Sequence, residues 1–403
     1  MDFSRLAATY GTPLYCYDFN YFTSRFTELR DAFSGRKSLL AYAVKANSNL
    51  SVIRHFARMG SGADCVSIGE VRRAIKAGVD PYKIIFSGVG KRDDELAEAL
   101  GSGILFINVE SEAEMMRLET IAGELGKEAR ISIRVNPNID PKTHPYISTG
   151  LEENKFGVDL NSARRLYLHA HKSPHLRPVG VHFHIGSQLT ELEPIREASA
   201  IVADLVRQLS AIDIQLNFFD VGGGIGVTYN DEATIAPYDY AQAILGTLKG
   251  LDVTIVTEPG RFLVANGGYF LTRVLYEKRN NEKRFVIVDG AMNDLIRPSL
   301  YKAYHKVEVV GKGSGGSPAD IVGPVCESGD FLAKNVPLPA TEHGDVLVVH
   351  SAGAYGFTMS SNYNTRPRPA EIAFQDDAVQ IIRRRESVDG LLALEEECLD
   401  ETA

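Results

Sequence analysis

The chain has 403 residues, 44% of them hydrophobic, which is enough to bury a sizeable core and leads us to expect two or three domains. Its 43 Lys and Arg against 52 Asp and Glu leave a net charge of −9, and no stretch interleaves basic and aromatic residues, so nucleic acid is not an expected partner. The start, MDFSRLAATYGTPLY, has no charged segment leading into an apolar one, and no apolar run reaches the about 18 residues of a membrane span; with four scattered cysteines and no CxxC pair, a reducing cytoplasm is expected.

In chain order, Pro13 to Tyr17 is an extended piece expected to pair with a later domain. Apolar, often β-branched runs then follow at Leu39–Val44, Gly62–Val66, Lys83–Phe86, Ile104–Val109, Ile131–Val135, Val179–Ile185, Leu216–Val221 and Val253–Thr257. Between them lie stretches of helical spacing bounded by Gly, Asn, Asp, Ser or Pro: Leu50–Met59, Ile68–Ala77, Asp94–Leu100, Glu112–Leu125, Ser162–His171, Pro194–Leu209 and Tyr238–Leu248. Eight strand–helix units predict a (β/α)8 barrel over residues 25–267, with a doubly wound open sheet as the competing α/β fold. Beyond it, Phe270–Tyr276, Arg284–Asp289, Lys306–Val310 and Val346–His350 read as strands without long helices, so residues 268–403, with 1–24, are expected to form a mostly β domain. Gly311–Asp320 is expected to be a mobile hairpin tip, and Phe374–Glu397 one or two closing helices.

A barrel carries its chemistry at the C-terminal ends of its strands, and the unusual residues gather there. Lys45 ends the first strand in apolar surroundings, where an amine can be desolvated into a nucleophile, although a lone Lys at a strand end is more often solvated. Asp64 ends the second and serves equally well as a turn residue. His182 and His184, two apart in HFHIGSQ, share a face; they suit metal ligation, a flat contact to a cofactor ring, or a hydrogen-bonded core. Gly222, Gly223, Gly224 and Gly226 follow the seventh strand and Glu258, Gly260 and Arg261 the eighth, where barrels build phosphate sites; Ser187 has a hydroxyl to offer the same anion. A nucleophilic lysine, a flat imidazole, a phosphate cradle and an acid for a pyridine nitrogen are together what pyridoxal 5'-phosphate requires.

The motifs YAVKANSN, HFHIGSQ, DVGGGIG, TEPGR, GPVCESGD and GAYGFTMSSNYNTRPRPAE stand in the order in which the fold-type III pyridoxal-phosphate decarboxylases carry them. The chain resembles that family from about Lys45 to Glu371, and most of all its branch that converts meso-2,6-diaminopimelate to L-lysine and carbon dioxide. The resemblance implies a pyridoxal-phosphate barrel followed by a β domain, in a head-to-tail homodimer with shared active sites. It also implies that Lys45 carries the cofactor, His184 stacks on its ring and Glu258 binds its pyridine nitrogen. Asp64, Ser187, Gly223, Gly224, Gly260, Arg261 and Tyr355 would complete the cofactor pocket. Cys326 would be the proton donor, from the other subunit, and Arg261, Arg297, Tyr301, Glu327 and Tyr355 would hold the substrate.

By themselves a free cysteine is usually an inert buried group and a lone arginine a surface charge. Relatives acting on ornithine, arginine or carboxynorspermidine are the nearest alternatives, but CESGD departs from the CDG text of the diamine enzymes, and a far end bearing only an amine would not call for Arg297. Alanine racemase shares the architecture without HIGSQ or CESGD. A metal-dependent hydrolase barrel would explain the two histidines, but places such a pair on its first strand. A non-catalytic pyridoxal-phosphate carrier would have no need of Cys326 and Glu327.

Overall fold

The computed structural model describes residues 1–140 and 155–400. Two compact units emerge: Thr23–Val227 with Glu232–Leu263, and Met1–Phe22 with Thr228–Asp231 and Val264–Ala403. The chain opens with α1 (Phe3–Tyr10), β1 (Leu14–Asp18) and α2 (Phe19–Ala32). A closed parallel barrel follows, formed by β2 (Ser38–Ala43), β3 (Gly62–Cys65), β4 (Ile84–Phe86), β5 (Phe106–Val109), β6 (Ala129–Arg134), β7 (Leu176–His182), β8 (Phe218–Asp220) and β9 (Thr254–Thr257). Pairing of Ser38 with Ile255 and Leu40 with Thr257 shuts the ring, which excludes the open sheet. The intervening helices are α3 (Leu50–Arg58), α4 (Ile68–Ala77), α5 (Asp93–Ser102), α6 (Glu112–Glu124), α7 (Leu160–Lys172), α8 (Glu193–Ser210) and α9 (Pro237–Leu245), followed by the single turn α10 (Arg261–Val264).

Local chemistry explains these boundaries. Asn49, Ser67, Ser111 and Asp159 cap helices by accepting backbone N–H groups, and Gly78 and Gly103 end helices in the left-handed region. The strands are short and almost wholly buried, as parallel strands covered on both faces must be. Ala41, Ile85, Leu105, Phe106, Val179 and Val256 form one apolar cluster of this unit. Most strand ends differ from expectation by one to three residues, and at two ends the difference has a local cause. Lys83 belongs to a 3-10 turn begun by Pro81, whose fixed φ starts the turn, and β7 stops at His182, so Phe183–Ile185 lie in the loop that carries the site.

The other unit is built on a nine-stranded sheet. Its long strand β10 (Gly268–Asn280) pairs with β1 and β11 (Lys283–Val288); α11 (Arg297–Tyr301) and β12 (Val307–Val309) come next. Then follow β13 (Ser317–Val322), β14 (Phe331–Leu338), β15 (Val346–Val349), β16 (Ala370–Gln375), β17 (Ala378–Arg383) and α12 (Val388–Asp400). The sheet order is β14-β13-β11-β10-β1-β16-β17, with β15 pairing β10 and β12. The N-terminal extended piece is therefore a central strand, antiparallel to β10 and parallel to β16. Two expectations are corrected. Ser317–Asp320 is not part of a hairpin tip but opens β13, which pairs with both β11 and β14. Phe374–Glu397 is not all helical: β16 and β17 form a hairpin whose turn is made by Asp376 at a φ of 52°, and helix begins only at Val388.

Arg284 ties the far side of this sheet. Almost fully buried, it donates to both carboxylate oxygens of Glu277 at 3.0 and 2.8 Å and to the carbonyls of Ser317, Leu338 and Pro339 at 3.1, 2.7 and 2.8 Å. Arg284→Met is expected to lower stability by about 3 kcal/mol, since it strands buried carbonyls and one half of an ion pair. Urea unfolding checks this, and a loss below about 1 kcal/mol would contradict it. Among the described residues no helix is long and apolar enough to cross a membrane.

Candidate active site

At the C-terminal end of β2 the chain makes a 3-10 turn, Val44–Ala46, that projects Lys45 past the strand. Its Nζ donates to Oδ2 of Asp64, at the end of β3, across 2.5 Å; Asp64 is fully buried and Lys45 about one-third exposed. The turn is held from both sides. Tyr42 donates its hydroxyl to the Asn47 carbonyl at 2.9 Å, and Ala43 N–H bonds the carbonyl of Pro259, beyond β9. Burial and the charge of Glu258 push the Asp64 carboxyl upward, while Lys45 pulls it back. The lysine thus stands at the edge of a dry patch with a carboxyl able to hold or share its proton.

The glycine run after β8 is a close-packed backbone crossing. A Cβ on Gly223 would lie 2.3 Å from the Glu258 carbonyl oxygen, and one on Gly224, whose φ is +115°, would lie 2.3 Å from that of Gly186. The glycines therefore let the loops after β7, β8 and β9 touch, and the bonds between them follow: Glu258 N–H to Gly222, and Leu189 N–H to Gly224. A Cβ on Gly222 would strike the ring nitrogen of His184 at 2.8 Å, so this glycine admits the imidazole. The dense surroundings of that ring, with Arg134 and Lys45 nearby, push it down to about 3, and it is neutral at every ordinary pH. Beside the cradle, the buried guanidinium of Arg261 donates to the Ser187 hydroxyl from Nε at 3.3 Å and from Nη2 at 3.1 Å. Gly260 packs so closely on the lysine turn that its Cβ would meet those of Ala46 and Ala43 at 3.0 and 3.1 Å.

The histidine pair divides. His184 goes to the glycine run, whereas Nε2 of His182 lies 3.4 Å from Oε2 of Glu258. His182, Asp220 and Glu258 each bring one atom within 4.8 Å of the others, all buried. Burial pulls the Glu258 carboxyl up, but His182 by charge and hydrogen bond, then Lys45 and His184, outweigh it and hold it down to about 2. Asp220 is driven the other way, well above the carboxylate range, by burial first and by Glu258 next. Two acids in one dry space are thus pushed in opposite directions, Glu258 toward its anion and Asp220 toward its protonated form. Asp220 is not among the residues expected from the sequence, though an aspartate closing a strand one residue before three contiguous glycines is the signal; its Oδ1 accepts the Gly222 N–H at 2.9 Å and so shapes the crossing.

The remaining predicted residues belong to the other unit. Arg297 opens α11 and is 5% exposed, its guanidinium 5.0 Å from the Tyr229 ring and 6.0 Å from that of Tyr301. Cys326 and Glu327 stand exposed on the loop between β13 and β14. That loop is fixed by Asp330, whose two oxygens accept Met292 and Val325 N–H groups at 2.7 Å each, and by Asn364, which accepts the Cys326 N–H at 3.0 Å. Glu327 hydrogen-bonds the Tyr363 hydroxyl, which raises that phenol. Tyr355 sits in the left-handed region at a φ of 55°.

The barrel residues fit pyridoxal phosphate. The glycines keep the loops after β7, β8 and β9 in close register, and a guanidinium and a hydroxyl stand beside that crossing for an anion. Oε1 of the ionised Glu258 is buried without a donor among the described residues, the acceptor that a pyridinium N–H requires. The pyridoxal binding domain of the pyridoxal-dependent decarboxylases matches residues 20–265, and the chain belongs to that family. Its cofactor is pyridoxal phosphate. Diaminopimelate decarboxylase of Campylobacter jejuni is 58% identical over 99% of this chain and all of its own. The enzyme of that name from Pseudomonas aeruginosa is 50% identical over 97% of this chain and 94% of its own. The crystal structure of diaminopimelate decarboxylase from Helicobacter pylori, complexed with L-lysine, superimposes with a TM-score of 0.96 at 56% identity, covering 98% of this chain and 100% of that one.

Proposed function

We propose that the protein decarboxylates meso-2,6-diaminopimelate to L-lysine and carbon dioxide, with Lys45, His184, Glu258 and Cys326 as the residues in contact with the reaction. The observation that carries this reading is the set gathered on the barrel rim: an amine on a buried carboxyl, a neutral imidazole on a glycine crossing, and a buried anion. The choice of substrate is supported by relatives of 46–58% identity that cover nearly the whole chain. When bound, pyridoxal phosphate supplies a sink for the electron pair left as carbon dioxide departs.

The chain's own groups do the rest. Gly223, Gly224, Ser187, Gly260, Arg261 and Tyr355 would hold the phosphate end and Lys45 the aldehyde end, while Asp64 accepts a hydrogen bond from the lysine amine. His184, uncharged, offers a flat face without competing for protons. Glu258, held ionised by His182, stabilises positive charge at the ring nitrogen through the reaction. Arg297, Tyr301 and Glu327 recognise the distal amino-acid end, which departs unchanged in lysine. A proton then returns to the carbon that lost its carboxylate, from Cys326 or from Lys45.

We further infer a homodimer in the cytoplasm, the Cys326 and Glu327 of one subunit serving the barrel of the other. The exposure of this pair on its own chain and the four free cysteines support that reading. The visible spectrum of the purified protein, recorded before and after meso-diaminopimelate while carbon dioxide and lysine are measured, tests the whole: equal amounts of both products are expected. A cofactor band without turnover would move the substrate to another basic amino acid. Cys326→Ala is expected to lower kcat about 100-fold with little change in KM; unchanged turnover would transfer the proton's return to Lys45.

A further inference from the structure

We propose that His305 is a positioning residue for substrate selection: it accepts the Nε–H of Arg297 and so commits that guanidinium to an end-on grip of the substrate's distal carboxylate. The inference rests on the reading of Arg297 as a carboxylate-binding residue. Arg297 Nε lies 3.2 Å from His305 Nε2, and His305 Nδ1 lies 2.9 Å from the carbonyl oxygen of His350. A carbonyl only accepts and a guanidinium only donates, so the tautomer is dictated: Nδ1 carries the hydrogen and Nε2 presents its lone pair to the arginine. Both side chains are at least 95% buried.

The rest of the unit immobilises this contact. α11 ends at Lys302 in the left-handed region, turning the chain back toward β12, and the His350 N–H bonds the Lys306 carbonyl just beyond β15. Tyr229 faces the guanidinium at 5.0 Å and packs edge-on to the His305 ring at 5.7 Å. A guanidinium can grip a carboxylate side-on, through Nε and one terminal nitrogen, or end-on through both terminal nitrogens. With Nε engaged by His305, only the second grip remains. An imidazole does this without neutralising the arginine, whereas a carboxylate in its place would compete with the substrate's own for the positive charge. The pair thereby favours a substrate whose far end carries a carboxylate over one ending in a bare amine.

The test is steady-state kinetics of the holoenzyme with meso-diaminopimelate, and inhibition by L-lysine, in the wild type and in Arg297→Ala, His305→Phe and His305→Gln. Phe fills the ring's place but accepts nothing; Gln offers an oxygen near the position of Nε2. Arg297→Ala and His305→Phe are expected to raise KM and the L-lysine inhibition constant together by about 10-fold or more, with kcat within about 3-fold, and His305→Gln to recover most of that loss. A normal KM in His305→Phe while Arg297→Ala raises it, or no recovery by Gln, overturns the role of His305. A normal KM in Arg297→Ala overturns instead the reading of Arg297 on which the proposal stands.

Discussion

Lys45→Ala is expected to abolish the visible absorption of the cofactor-loaded protein and to lower the rate of carbon dioxide release by at least about 10⁴-fold, or about 5 kcal/mol of barrel-rim chemistry lost with one amine. A 3-10 turn after β2 sets Nζ 2.5 Å from a fully buried carboxylate, so the amine has a fixed place and a fixed proton partner. The substitution has a second consequence, in stability. The Asp64 carboxyl titrates higher in the folded chain than its ordinary value, so the stability associated with its protonated form is complete below about pH 3.9 and is lost as pH rises through the folded value. Lys45 limits that rise, and its removal deepens the loss. The stability gap between wild type and variant therefore widens from pH 4 to pH 7, as urea unfolding at both would measure. Retention of the visible band in the variant would remove Lys45 from its role, and a constant gap would show that Asp64 has no stake in the pair.

Most of the barrel could be read from the chain because its units are local: each strand is a short apolar run, several helices have a capping residue before them, and the rim residues follow their strands directly. What lay hidden depends on distant partners. Within the stretch expected to be helical, β17 was hidden because Ala378–Arg383 shows no regular alternation of buried and exposed residues, and the hairpin turn rests on Asp376 in the left-handed region. β13 was masked by the glycines before it and by Pro318, which falls where β14 is its paired neighbour and β11 has not yet begun. In the site, Lys45, His184 and Glu258 stood out as odd groups at strand ends, whereas the opposition of Asp220 to Glu258 joins two strands, β8 and β9, whose lateral pairing brings together residues 38 positions apart. The bond from Arg297 to His305 spans eight residues, but across the end of a helix, where no periodicity marks it.

Glu258→Gln is expected to lower kcat by about 10³-fold while changing the stability of the protein far less. Glutamine keeps the size of the side chain and a hydrogen-bonding oxygen but not the negative charge, so it cannot balance a protonated ring nitrogen as electrons move toward it. The folded chain favours this charge through its cationic neighbours, but the charge burdens the acids beside it. Burial opposes it, and its repulsion is among the causes that raise both Asp220 and Asp64; His182, Lys45 and His184 keep it ionised. With the charge removed, the folded value of Asp220 moves back toward that of the unfolded chain. Less stability is then lost at Asp220 as pH rises, while the stability that the depressed Glu258 carboxyl supplies above about pH 4.3 is forgone, so the two contributions oppose each other at neutral pH and both vanish in acid. Thermal unfolding at pH 5 and pH 8 beside kcat separates the two effects. A variant that loses activity and stability together would make Glu258 a structural anchor of the β8–β9 crossing. A slow but firmly folded one would locate the strain where the chemistry needs it, in a buried anion whose repulsion the fold tolerates until a cation arrives to meet it.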